Sequence, residues 1–187
     1  MASKVAVQVG KTIDLIAEGS RASLPYPAAG YGGHELVVSP SGKYLALFLY
    51  SGQSEVGWEL FELPTLRHIG GLPYVFGEGA APVFSADEKG LAMLSTLRDI
   101  GPDDDDPDAT VIDWAELRLQ PLPTGALSTC TIQLRFEEPP EEREPEYPRI
   151  VHLGTAEVTM ALPWGGQHTL PLPLPRATEI PGPSTEA

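Results

Sequence analysis

The chain is 187 residues long, 42% hydrophobic, and carries a formal net charge of −14 and one cysteine, Cys130. That length suits one domain with a real core. The acidity argues against non-specific binding to nucleic acid or an anionic membrane, and a single cysteine excludes an intrachain disulfide. Twenty prolines and nineteen glycines, with little helical periodicity, predict an all-β fold of many short strands and turns.

Met1 to Gly10 holds only a short, interrupted apolar stretch with no small-residue cleavage site after it, so it does not read as a signal peptide. No run approaches the roughly 18 apolar residues that a membrane helix needs, and a cytoplasmic location is the default expectation. Residues 4–18 read as one or two strands around a Gly10-Lys11 turn, and Ser20 to Gly33 as a loop containing Pro25 and Pro27. Tyr44 to Tyr50 is a run of seven apolar residues bounded by turn signals, the pattern of a strand buried on both faces. Trp58 to Leu63 reads as the next strand and Arg67 to Ile69 as a closing one. Leu91 to Leu94, Ala115 to Leu119 and Ser128 to Leu134 repeat that order. Glu137 to Glu146 is a low-complexity acidic stretch. Arg149 to Leu162 reads as one strand, Trp164 to Gln167 as a hairpin turn, and Gln167 to Leu174 as the partner strand. The N-terminal strand is expected to join this hairpin to complete a sheet, and residues 177–187 are expected to be a disordered tail.

Two blocks recur. Val38-Ser-Pro-Ser-Gly-Lys-Tyr-Leu-Ala46 is echoed by Phe84-Ser-Ala-Asp-Glu-Lys-Gly-Leu-Ala92, an offset of 46 from Ser39 to Ser85. Leu63-Pro-Thr-Leu66 is echoed by Leu122-Pro-Thr-Gly125, an offset of 59. An acidic insertion of 13 residues in the second copy, placed at 98–110, reconciles the two. Without it the period is close to that of four-stranded propeller blades.

Ser39-Pro-Ser-Gly-Lys-Tyr-Leu-Ala46 resembles the WD40-like propeller repeats of bacterial proteins, whose pattern is F-S-P-D-G-K-x-L-A. Phe61-Glu-Leu63 falls where those repeats end a strand with an aromatic-acid-aliphatic triplet. The second copy departs from the pattern at Ala86 and Lys89-Gly90, and the Trp-Asp signature is absent. The resemblance covers residues 34–136 and implies propeller-like repeats of antiparallel sheets: two clear blades plus flanking strands, a partial or small propeller. It implies no activity, since propellers host many functions. The organisation expected is a single repeat domain over 1–176, with repeat 1 at 34–80, repeat 2 at 81–136, an acidic linker or loop at 137–148, a terminal hairpin at 149–176 and the tail at 177–187. Two blades are fewer than the four to eight of closed propellers, so closure by a second copy of the chain is one expected arrangement. A composition rich in Ala, Pro, Gly and Leu points to a bacterial source.

The charge is concentrated. Asp103 to Asp108 and Glu137 to Glu146 together carry −10 of the −14. Asp103, Asp104, Asp105 and Asp106, with Glu141, Glu142 and Glu144, are therefore the candidate contacts to a basic protein partner. The Asp run lacks the Gly and Glu that an EF-hand loop requires at its sixth and twelfth positions. His34, His68, His152 and His168 show no zinc spacing with Cys130. Cys130, between threonines of an alternating strand, reads as a buried thiol. Neither a Gly-x-Ser-x-Gly elbow nor a phosphate or dinucleotide loop is present. No catalytic residue, metal or cofactor is assigned, and the leading expectation is a non-catalytic interaction module. An acidic inhibitor or immunity-type protein for a basic toxin is one concrete form. The alternatives are a lectin-like or small-ligand-binding propeller with Trp58 and Trp114 as repeat-equivalent pocket residues, and an enzyme whose site only the fold assembles.

Overall fold

The computed structural model describes residues 5–17, 19–25, 31–51, 55–99, 110–123, 125–137 and 148–182. Among them are sixteen strands and no helix. The chain divides into two compact units, 1–76 and 77–187, each built around one copy of the repeat.

In the first unit, β1 (Ala6–Val9), β2 (Thr12–Ala17) and β3 (Ser20–Pro25) form a three-stranded antiparallel sheet. β4 (Gly33–Val38), β5 (Tyr44–Tyr50), β6 (Glu55–Glu62) and β7 (Arg67–Phe76) follow as a four-stranded meander in chain order, the strand arrangement of a propeller blade. The two sheets share a core: Ile13, Leu15 and Ala17 pack with Leu45, Leu47, Leu49 and Phe61. The other face of β5, with Ala46 and Phe48, is buried as well, as the unbroken apolar run predicts. Each fully buried leucine contributes about 2 kcal/mol, so a one-residue slip, which would turn every side chain to the opposite face, is strongly disfavoured.

The second unit begins with β8 (Glu78–Gly79) and β9 (Val83–Phe84), two short strands at the position of β4. Both pair with β10 (Gly90–Asp99), and β11 (Thr110–Pro121) and β12 (Ser128–Glu137) complete the meander. β13 (Arg149–Leu153), β14 (Glu157–Ala161) and β15 (Gln167–Pro171) form a separate three-stranded sheet. Its Leu153, Val158, Met160 and Leu170 pack against Ala92, Leu94, Leu117, Cys130 and Ile132 of the larger sheet. β16 (Ala177–Pro181) adds to that larger sheet, parallel to β12.

The repeat is visible atom by atom. Ser39 N–H donates to the Tyr44 carbonyl at 2.9 Å, as Ser85 N–H does to that of Gly90 at 2.9 Å. Leu63 N–H donates to Lys43 and Leu122 N–H to Lys89, at 2.7 and 2.9 Å. Leu63–Pro64 and Leu122–Pro123 are both cis. Gly42 and Glu88, again 46 apart, both adopt left-handed backbone, with φ of 77° and 56°.

Four expectations change. Ser20 to Pro25 is a strand, because Ala22 and Leu24 face the core while Ser23 and Arg21 bind the Asp14 carboxylate across the sheet. Arg149 to Leu162 is two strands, turned at Gly154, whose N–H donates to the Glu157 carbonyl. The N-terminal strand pairs with β2, and the terminal hairpin has its own third strand. The expected tail contributes β16, held by backbone pairing to β12 and by Ile180 in the core.

Two predictions follow from this geometry. A non-glycine residue in left-handed backbone costs about 1–2 kcal/mol, and glycine gives back part of that in chain entropy. Glu88→Gly should therefore stabilise the protein by about 0.5–1 kcal/mol in urea unfolding, and Gly42→Ala should destabilise it by more; a neutral or destabilising Glu88→Gly would contradict the turn geometry. The Ser23 hydroxyl and then Arg21 hold the Asp14 carboxyl below its usual range. A depressed folded-state pKa gives stability that is present above the unfolded value and lost as pH falls through the folded one. Asp14→Asn should thus lower the melting temperature at neutral pH and flatten its decline below about pH 4; an unchanged acid limb would show that the network contributes nothing.

Candidate functional site

Strand register brings together the described residues that flank the two acidic stretches. β10 and β11 pair from Gly90 opposite Pro121 to Asp99 opposite Ile112. In the first repeat the β5–β6 ladder ends at Tyr50 opposite Val56, which corresponds to Thr96 opposite Ala115. The pairs Leu97–Trp114, Arg98–Asp113 and Asp99–Ile112 therefore extend the second hairpin beyond the repeat. Part of the thirteen-residue insertion is strand: the boundaries 98–110 cut into β10 and β11, where Arg98, Asp99 and Thr110 are paired.

β12 extends with them, and Thr110 lies opposite Glu137. Asp99 leads into residues 100–109, Thr110 leads out of them, and Glu137 leads into residues 138–147. All three anchors sit at one end of adjacent strands, which are spaced about 4.8 Å apart. Asp103, Asp104, Asp105, Asp106, Glu141, Glu142 and Glu144 themselves lie outside the described residues.

Trp58 is fully buried, opposite Phe48 on one side and Leu72 on the other. Its register equivalent in the second repeat is Leu117, opposite Leu94. Trp114 instead belongs to the hairpin extension, opposite Leu97. The two tryptophans are not equivalent positions, and the Trp58 indole lines no open pocket. The expectation rested on both lying shortly before a Pro-Thr turn, but Trp58 precedes Pro64 by six residues and Trp114 precedes Pro123 by nine.

Several other polar groups among the described residues hold the structure. The Ser85 hydroxyl donates to Asp87 at 2.8 Å and accepts from the Lys89 and Gly90 amides at 3.1 and 3.0 Å, which holds the turn rather than freeing a nucleophile. Ser39 accepts the Tyr44 amide in the same way. Cys130 is buried, and burial pushes its thiol up, away from the reactive thiolate. Arg118, also buried, donates to Ser95 at 2.5 Å and to Glu116; burial lowers its pKa, yet a guanidinium stays charged. His68 pairs with Glu59 at 2.6 Å on the first blade. Among the described residues no three His, Cys, Asp or Glu side chains gather to hold a metal ion, and no helix is long and apolar enough to cross a membrane.

No protein-family model matches the chain, and no curated protein does. Among solved structures, it is similar to hydrazine synthase of Kuenenia stuttgartiensis (13% identity, TM-score 0.45, 82% of this chain and 44% of that one). It is also similar to an acylaminoacyl peptidase of Pyrococcus horikoshii (12%, 0.45, 91% and 30%). A third is the β-propeller domain of Cps50 (Swd1) from Myceliophteria thermophila (13%, 0.32, 90% and 66%). The chain spans less than half the length of the first two.

Proposed function

We propose that the protein is a non-catalytic interaction module that docks a basic protein partner at the acidic end of its second blade. The observation that carries this reading is the Thr110–Glu137 pairing, which anchors two acidic stretches of the sequence side by side. A concentrated negative field raises the encounter rate with a cationic surface and selects against acidic ones. The strands beneath it supply a rigid mount, since β10, β11 and β12 each contribute buried residues to one core. An inhibitor that covers the basic working surface of another protein is one form such a module takes. Burial of Trp58 removes the strongest support for a lectin-like reading.

Affinity capture from lysate at low and high salt tests the proposal. The wild-type chain should retain a basic protein at about 0.05 M salt and release it near 0.5 M, where screening is about threefold shorter in range. Asp103–Asp106→Ser combined with Glu141, Glu142 and Glu144→Gln should lose both the capture and its salt dependence while melting normally. Capture that is unchanged in the combined variant would sink the reading.

A further inference from the structure

The two repeats share the backbone hydrogen bonds of their first turn but differ in the residue that follows the turn lysine. In the first, Lys43 precedes Tyr44, and the Lys43 ammonium stands 4.9 Å from the centre of the Tyr44 ring, a cation–π contact. Forty-six positions on, Lys89 precedes Gly90. Gly90 holds the same place in the ladder: it lies opposite Pro121 as Tyr44 lies opposite Glu62. The second repeat has kept the cation and deleted the ring.

A cleft of about 290 Å³ opens beside Gly90, walled by Leu119, Leu153, Leu172 and Pro121 and rimmed by Asp87 and Lys89. A Cβ built on Gly90 would meet three of the lining residues, 3.3 Å from Leu119 Cδ1 and 3.7 Å from both Leu153 Cδ2 and Ser85 Oγ, so a larger side chain there would press on the cleft wall. The Lys89 side chain is 82% exposed, and its ammonium lies 3.6 Å from the Asp87 carboxylate. Its flexible stem can carry the charge over an occupant of the cleft.

We propose that this cleft binds an electron-rich aromatic ring, a phenol or an indole, which takes the place that Tyr44 fills in the first repeat. The apolar walls desolvate the ring, Lys89 supplies the cation over its face, and Asp87 accepts a hydrogen bond from the phenol O–H or indole N–H. The volume lies at the small end of ligand pockets, about 300 Å³, which suits one ring rather than an extended cofactor. The cleft sits at the Gly90–Pro121 end of the β10–β11 hairpin, and the acidic stretches are anchored at the other end, so this site stands or falls independently of the docking reading.

Methyl NMR of the full chain tests it, with p-cresol as the free ring, N-acetyl-tyrosinamide as the ring on a peptide backbone, and cyclohexanol as the saturated control. The Leu119, Leu153 and Leu172 methyls should shift with a dissociation constant of roughly 1 mM, as fits a ring-sized ligand. Cyclohexanol should bind several-fold more weakly. Lys89→Ala, a surface change that leaves the fold intact, should weaken p-cresol roughly two- to fivefold, and Gly90→Leu should abolish binding by filling the cleft. Tighter binding of N-acetyl-tyrosinamide would support the ring site and mark its source as a peptide side chain; tighter binding of p-cresol would support it with a free aromatic as the source. No shift at about 20 mM p-cresol, equal binding of cyclohexanol, or full affinity in Lys89→Ala would overturn the proposal.

Discussion

A buried serine hydroxyl at the start of each central strand fixes the register on which everything else depends. Ser39 receives the amide of Tyr44, and Ser85 receives those of Lys89 and Gly90. Beside each, the carbonyl of the turn lysine takes the N–H of the leucine that ends the next strand. These bonds tie together the residues that flank the strand ends, so the pairs between them have no freedom to slip. With side chains alternating at period two, that register decides which residues are core. Leu45, Leu47 and Leu49 fall on one face of β5, and Ala46 and Phe48 on the other. The same clamp places Leu94 opposite Leu117, and so determines that Trp58 corresponds to Leu117 and not to Trp114.

A fixed register in the middle leaves the ends of a blade free to vary, and the second blade varies at both. At one end its hairpin runs three pairs beyond the repeat and carries the acidic anchors. At the other, a glycine replaces a buried tyrosine and leaves a lysine without the ring its counterpart covers. Strand ends are where a change in the chain least disturbs core packing, and loops on a rigid scaffold are where binding residues accumulate. The first blade keeps the shorter hairpin and the aromatic.

Much of this was legible in the sequence. The offsets of 46 and 59 located both turns and both leucine clamps, and the seven-residue apolar run at Tyr44 gave a strand buried on both faces. The charge runs were visible as composition. That the residues flanking them meet was not, because it depends on Thr110 facing Glu137, a pairing between residues 27 apart in the chain. β3 was hidden because its outer face is polar: Arg21 and Ser23 are there to bind Asp14, and only Ala22 and Leu24 signal a core. β16 lies among prolines, and a single buried side chain, Ile180, secures it to the core; tertiary pairing with β12 overrode a local signal for disorder. The cleft at Gly90 became readable only once the two turns were superposed residue by residue, since a glycine in a turn block otherwise passes for turn chemistry.

The central claim is the register that sets the two acidic anchors side by side. Paired residues on antiparallel strands have Cα atoms about 4.5–5.5 Å apart, within reach of a disulfide. In a Cys130→Ser background, Thr110→Cys with Glu137→Cys should cross-link rapidly and completely under mild oxidation, read as a mobility shift reversed by reductant. Thr110→Cys with Arg135→Cys, two residues out of step, should cross-link far more slowly. Preferential linkage of the second pair, or of neither, would mean that the strands do not meet as described and that the acidic stretches do not share one end of the sheet.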